Sequence, residues 1–165
     1  AFNKQIKSLA SLAGTRTWRL CHFVPIIAAT FVPLIWVLGA SGKSMAKSEI
    51  RRFLKEIRTK FPDAVPLMEK HESWALTFLM EEFANLTTIL LNQGDLEEAL
   101  EQLQYMSEKL DTATKAEFEY IDVYYTEHLF WKGTKEGIER GWPLVPDNLK
   151  KLYLDFHGKP PRVVV

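Results

Sequence analysis

The stretch Leu20–Gly42, LCHFVPIIAATFVPLIWVLGASG, runs 23 positions without Asp, Glu, Lys or Arg, and it constrains this chain more than any other feature. A helix from Phe23 to Ala40 would extend about 27 Å at ~1.5 Å per residue, close to the ~30 Å hydrocarbon core of a bilayer. Arg16 and Arg19 precede the stretch, Lys43 and Lys47 follow it, and Trp18 and Trp36 are of the type that favours headgroup depth. It is expected to form one transmembrane helix over residues 20–42. A buried core helix is an alternative, although no face of the stretch is polar. A secretory signal leaving at Gly39-Ala40-Ser41 is another; the start at Ala1 is read as processing upstream with the segment retained. Pro25 fits a first turn, whereas Pro33 should kink the helix. Such a kink is best tolerated in lipid where neighbouring helices satisfy the freed carbonyl, which points to packing within a complex.

The remaining length supports a single further domain of about 120 residues, enough for a modest core. Net charge is zero, but residues 1–60 hold 11 basic and 2 acidic side chains (+9), and residues 61–165 hold 10 and 19 (−9). The basic part suits anionic headgroups; the acidic part is a poor nucleic-acid binder. One cysteine, Cys21, rules out an intrachain disulfide framework.

Residues 1–19 are basic and acid-free, with Phe2, Ile6, Leu9 and Ala13 on one helical face. That pattern fits an interfacial amphipathic helix, a mitochondrial targeting segment or a solvated leader. Within 43–62, Ile50, Phe53, Leu54, Ile57 and Phe61 recur at the helical period, with Arg51, Arg52, Lys55, Arg58 and Lys60 between them, so a basic amphipathic juxtamembrane helix is expected, stopped by Pro62. A helical domain should occupy 63–141. Its first long helix, from about Glu72 to Asn92, is expected to bury Trp74, Phe78, Leu79, Phe83, Leu86, Leu90 and Leu91. Gly94 suits a left-handed cap, and Asp95 with Glu98 suits a capping box opening the next helix, so the two fold back as a hairpin. A third helix should follow a Thr114/Glu117 capping box, bury Phe118, Ile121, Tyr125 and Leu129, and end at Gly133. The C-terminal extension, 142–165, is expected to be extended at Trp142–Pro146. A short helix capped by Asp147, with Leu149, Leu152, Tyr153 and Phe156 inward, and an extended tail follow. The fold class is all-α: a transmembrane helix followed by a small bundle.

The run FANLTTILLNQGDLEEALEQLQYM resembles a tetratricopeptide repeat, with Phe83, Leu86, Leu90, Gly94, Ala99 and Leu103 at its large, small and turn positions. Thr87, Met106 and Asp111 depart from the pattern. A span followed by one such repeat, with paired leucines before Asn92, Gly94 and an acidic cap at Asp95, is also similar to the Tom20 family of mitochondrial import receptors. That resemblance implies an apolar groove in the hairpin that takes basic amphipathic targeting peptides.

Signals for catalysis are weak. GASGKS at Gly39–Ser44 lacks the first glycine of a phosphate loop, where Val37 stands. The four histidines, His22, His71, His128 and His157, have no metal-ligand spacing. Glu127 and His128 are adjacent and so point in different directions on a helix. No catalytic, cofactor or metal residue is therefore assigned. The expectation is an accessory subunit of a membrane complex, mitochondrial and of the inner rather than the outer membrane. Phe83, Leu86, Leu90, Leu103, Trp131, Trp142, Leu144 and Phe156 are its candidate protein contacts. Trp18, Arg19, Trp36, Lys43, Lys47, Arg51 and Arg52 are its candidate lipid contacts. The alternative is the import receptor.

Overall fold

The computed structural model describes residues 35–162, with side chains from Met45 onward. Among these residues there is no strand. The elements are α1 (Ile35–Lys60), a 3₁₀ turn (Pro62–Ala64), α2 (Val65–Met68), α3 (Leu76–Gln93), α4 (Leu96–Asp111), α5 (Lys115–Glu119), a π-helical segment (Tyr120–Thr126), α6 (Lys135–Gly141), a 3₁₀ turn (Trp142–Leu144) and α7 (Asp147–His157). The all-α expectation holds.

The membrane span does not hold. Residues 20–34 lie outside the described residues. Residues 35–42 are the opening turns of α1, which runs without a break through Lys43, Lys47 and Arg51 to Lys60. Among the described residues no helix is long and apolar enough to cross a membrane. The apolar run ends two turns into a helix whose remainder is charged on its outer face. Its inner face is core: Ile50, Phe53, Leu54 and Ile57 are at most 3% exposed. The expected juxtamembrane helix is thus a structural wall of the domain, packed on α3 and α5.

The hairpin forms as its turn chemistry dictates. Gly94 sits at φ 92°, and both its N–H and that of Asp95 bond to the Leu90 carbonyl. The Asp95 side chain, however, makes no capping hydrogen bond. Trp74 lies before the start of α3 and is exposed, as is Phe78. At the buried hairpin seam Thr87 Oγ1 donates to Gln102 Oε1 at 2.8 Å and lies 3.2 Å from the Tyr125 hydroxyl. The Thr87 hydroxyl is therefore a tie between three elements, in a site where an unpaired polar group would be destabilising.

The third helix begins as expected. Thr114 and Glu117 complete both halves of a capping box. After Glu119 it widens into the π-helical segment, and it does not reach Gly133. Phe118 is exposed while Ile121, Tyr125 and Leu129 are buried. The expected extended stretch at Trp142 is instead a 3₁₀ turn with Pro143 near its start, and only Val145 and Pro146 are extended. The helix α6 has only seven residues, too few for a period to show. It is set by the Thr134 cap, whose hydroxyl accepts from the Gly137 N–H. Two glycines let α6 approach α3: a Cβ on Gly141 would lie 2.6 Å from Leu91 Cδ1, and one on Gly137 would lie 3.0 Å from the Asn92 Cα.

Candidate docking cleft

Past the π-helical segment the chain is fastened to α3 by side chains. The Phe130 N–H donates to Thr88 Oγ1 at 3.0 Å. Asn92 Nδ2 donates to the Lys132 carbonyl at 2.9 Å, while its Oδ1 accepts from the N–H and hydroxyl of Thr134. Phe130 takes φ 65°, among the described residues the sole positive φ outside glycine. That conformation disfavours a residue with a Cβ by about 1–2 kcal/mol. Its ring is buried, edge-on to Trp142 and Tyr153 at 6.1 Å from each. The next residue, Trp131, is turned outward and is 67% exposed, with its ring 4.8 Å from that of His128.

The α7 helix supplies the facing side. Tyr153 is buried, His157 lies over it at 4.2 Å, and Phe156, expected inward, is 57% exposed. The His157 Nε2 is 3.1 Å from the Glu127 carbonyl. Because a carbonyl only accepts, that nitrogen carries the proton. Gly158, at φ 68°, ends α7, and Lys159–Arg162 border the opening. Together these residues enclose a cleft of about 660 Å³, with Trp131 and Phe156 as its lips and Leu129, Phe130 and Tyr153 as its floor. Such a volume and apolar lining are typical of sites that hold a ligand or an anchoring side chain.

One carboxylate residue, Glu127, lines the cleft, and Asp122 precedes it by five residues. The Glu127 N–H bonds to the Asp122 carbonyl at 3.3 Å, five residues back. In an α-helix, residues five apart diverge by about 140°, and a π turn reduces that divergence. Burial and the Asp122 charge push the Glu127 carboxyl up, opposed by His128 and His157. Burial and Asp155 push Asp122 up. Among the described residues neither carboxylate has an ion pair, while Asp155 pairs with Lys151 at 2.6 Å. His128 Nε2 is 3.7 Å from Glu81 Oε2, and its Nδ1 is buried without a hydrogen-bond partner. Burial raises the Tyr153 hydroxyl to about 12. Among the described residues no group of His, Cys, Asp and Glu could hold a metal ion.

The expected contact residues divide sharply. Phe83, Leu86, Leu90 and Leu103 are at most 7% exposed, so the hairpin has no open groove at them. Phe61 and Tyr125 stack against Phe83 at 5.2 and 5.6 Å and fill that space. Trp131 and Phe156 meet at the cleft, Trp142 lies beneath it 5.3 Å from Tyr153, and Leu144 is half-buried against the core. Of the expected lipid contacts, Lys47 and Arg51 are exposed on α1, and Arg52 faces protein carboxylates, 3.8 Å from Glu56 and 4.0 Å from Glu117. Trp36 and Lys43 occupy helical positions in α1, and Trp18 and Arg19 lie outside the described residues. Sequence reasoning missed Phe130 and the approach of His157 to Glu127. The spacing of Tyr153 and His157, four apart, was a visible signal; a phenylalanine at positive φ leaves none.

No curated protein and no solved structure matches the chain. Residues 54–158, nearly two thirds of the chain, match the family described as a domain of unknown function, DUF7674. The matched stretch takes in the second turn of the α1 core stripe, the whole hairpin and every aromatic side chain of the cleft, and the protein is a member of the DUF7674 domain family.

Proposed function

We propose that this protein is a non-catalytic binding subunit that docks a partner polypeptide in the aromatic cleft and acts as an accessory component of a larger assembly. The observation that carries this reading is the outward placement of Trp131 and Phe156 over an ordered aromatic floor. Large aromatics in such settings are the usual anchors of protein interfaces. The rigid fastening of the 130–134 loop supports it further, because a preformed site loses little freedom on binding. The basic, acid-free leader at residues 1–19 favours a mitochondrial setting for such an assembly. With Phe83, Leu86, Leu90 and Leu103 buried, Trp131 and Phe156 are the exposed members of the expected contact set.

The test is quantitative co-purification of the tagged full chain against a Trp131→Ala/Phe156→Ala variant with an unchanged unfolding curve. A stoichiometric partner held by the wild type and lost by the variant is expected. A partner retained equally by both overturns the proposal.

A further inference from the structure

We infer, resting on the docking role just proposed, that the docked segment carries a carboxylate side chain beside an aromatic or branched aliphatic one. The apolar side chain enters between Trp131 and Phe156, and the carboxylate meets Lys159 and Arg162 at the rim.

Three observations carry it. Leu129, Phe130 and Tyr153 make an apolar floor, so the occupant must bring an apolar group to match it. The charges of the lining lean one way: Lys159 and Arg162 stand against Glu127 alone. Among the described residues neither cation has an ion pair or a side-chain hydrogen bond, with Glu127 or with any other group. The nearby lysines of α7 are already engaged, Lys151 with Asp155 at 2.6 Å and Lys150 with the Pro143 carbonyl at 3.3 Å. The two rim cations are thus the ones left for a partner, and an incoming carboxylate complements them. The third observation is how they are held. Pro160 and Pro161 separate them, and each proline fixes its own φ near about −65° and drives the residue before it into extended backbone. In such a chain, residues three apart return to the same side about 9 Å on, and both cations line the cleft. The rim is therefore a stiff cationic edge, which loses little freedom when an anion settles on it. The −9 of residues 61–165 opposes any larger negative charge. The chemistry selected is one carboxylate with an apolar neighbour, as distinct from a polyacidic run.

The experiment follows the Trp131 indole resonance of the full chain, assigned with Trp131→Phe, during titration with three blocked peptides. These are Ac-Gly-Phe-Glu-Leu-Gly-NH2, its Gln analogue, and a version with two further glutamates flanking the same core. The Glu peptide should bind about fivefold more tightly than the Gln peptide, in keeping with a partly exposed ion pair, and the preference should shrink at high salt. The additional glutamates should give no gain. Lys159→Gln/Arg162→Gln, at exposed positions, should lower the Glu peptide to the Gln value and leave the Gln peptide unchanged, whereas Lys159→Arg/Arg162→Lys should keep the preference. Equal binding of the Glu and Gln peptides, or tighter binding of the polyacidic one, overturns the inference while leaving the docking role in place. A Trp131 resonance that no peptide shifts also overturns it; the docking role itself then stands or falls on the co-purification result.

Discussion

Gly137→Ala tests how the platform beneath the cleft is built. The new methyl would press on the Asn92 Oδ1 inside any real contact distance and lie 3.0 Å from the Asn92 Cα. The amide could swing away, but only by releasing its bonds to Lys132 and Thr134, each contributing about 0.5–1.5 kcal/mol. The Cα cannot swing, so α6 must lift from α3, an overpacking strain of about 1–3 kcal/mol. Against this, alanine in a helix gains at most about 1 kcal/mol over glycine. The balance is a loss of about 2 kcal/mol. In urea, with a slope of about 1.5 kcal/mol/M, the midpoint should fall by roughly 1.3 M at unchanged slope. Glu139→Ala, exposed on the same helix, should leave it in place. The double variant Asn92→Ala/Gly137→Ala should lose less than the sum of the singles, since both disrupt the same contact. A Gly137→Ala midpoint at or above wild type refutes the glycine-mediated packing of α6.

Other outcomes follow from the same geometry. Thr114→Ala removes the hydroxyl half of the α5 capping box and should lower stability by about 1 kcal/mol in the same assay. Burial pushes the Glu117 carboxyl up, but the Thr114 N–H and the Lys109 ammonium, 3.3 Å away, outweigh it and hold it below 4.5. Its contribution is therefore full above 4.5 and is lost as pH falls through the depressed value, and Glu117→Gln should flatten that acid limb of the stability profile. Tyr105 and Tyr153 are raised from 10.0 to about 12, both chiefly by burial, with Glu56 and Glu117 adding at Tyr105. Stability that depends on their neutral forms should fall between pH 10 and about 12, with both phenolates absent from the ultraviolet difference spectrum until that range. Trp131→Ala and Phe156→Ala, at exposed positions, should each change stability by less than about 1 kcal/mol, as judged by urea midpoints.

What could be read from the sequence depended on length and period. Ile50, Phe53, Leu54 and Ile57 announced a core stripe because four apolar residues repeat at the helical spacing, and Gly94 announced the hairpin because few other residues accept its φ. The surroundings assigned to them were less legible. Polarity shows that a helix has an outer face, but not whether lipid or water meets it, so α1 passed for a headgroup helix while serving as a wall. Phe83 reads as a groove residue because a hairpin alone leaves it open; the rings that cover it, Phe61 and Tyr125, come from outside the hairpin on either side in sequence. Trp131, Trp142 and Phe156 stood out as more aromatic surface than the bundle needed. The side of the molecule on which they gather was set by α6, α7 and the Asn92 clamp, none of which has a strong periodic signature.

Phe130 joins two duties in one residue. Its ring forms the bottom of the cleft against Trp142 and Tyr153, and its backbone makes the reversal that turns Trp131 outward. A glycine there would relax the backbone but remove the bottom. Another bulky side chain would keep the bottom but retain the strain. A change at Phe130 consequently alters the depth of the cleft and the backbone turn together, whereas changes at Trp131 or Phe156 reshape the mouth and leave that turn in place.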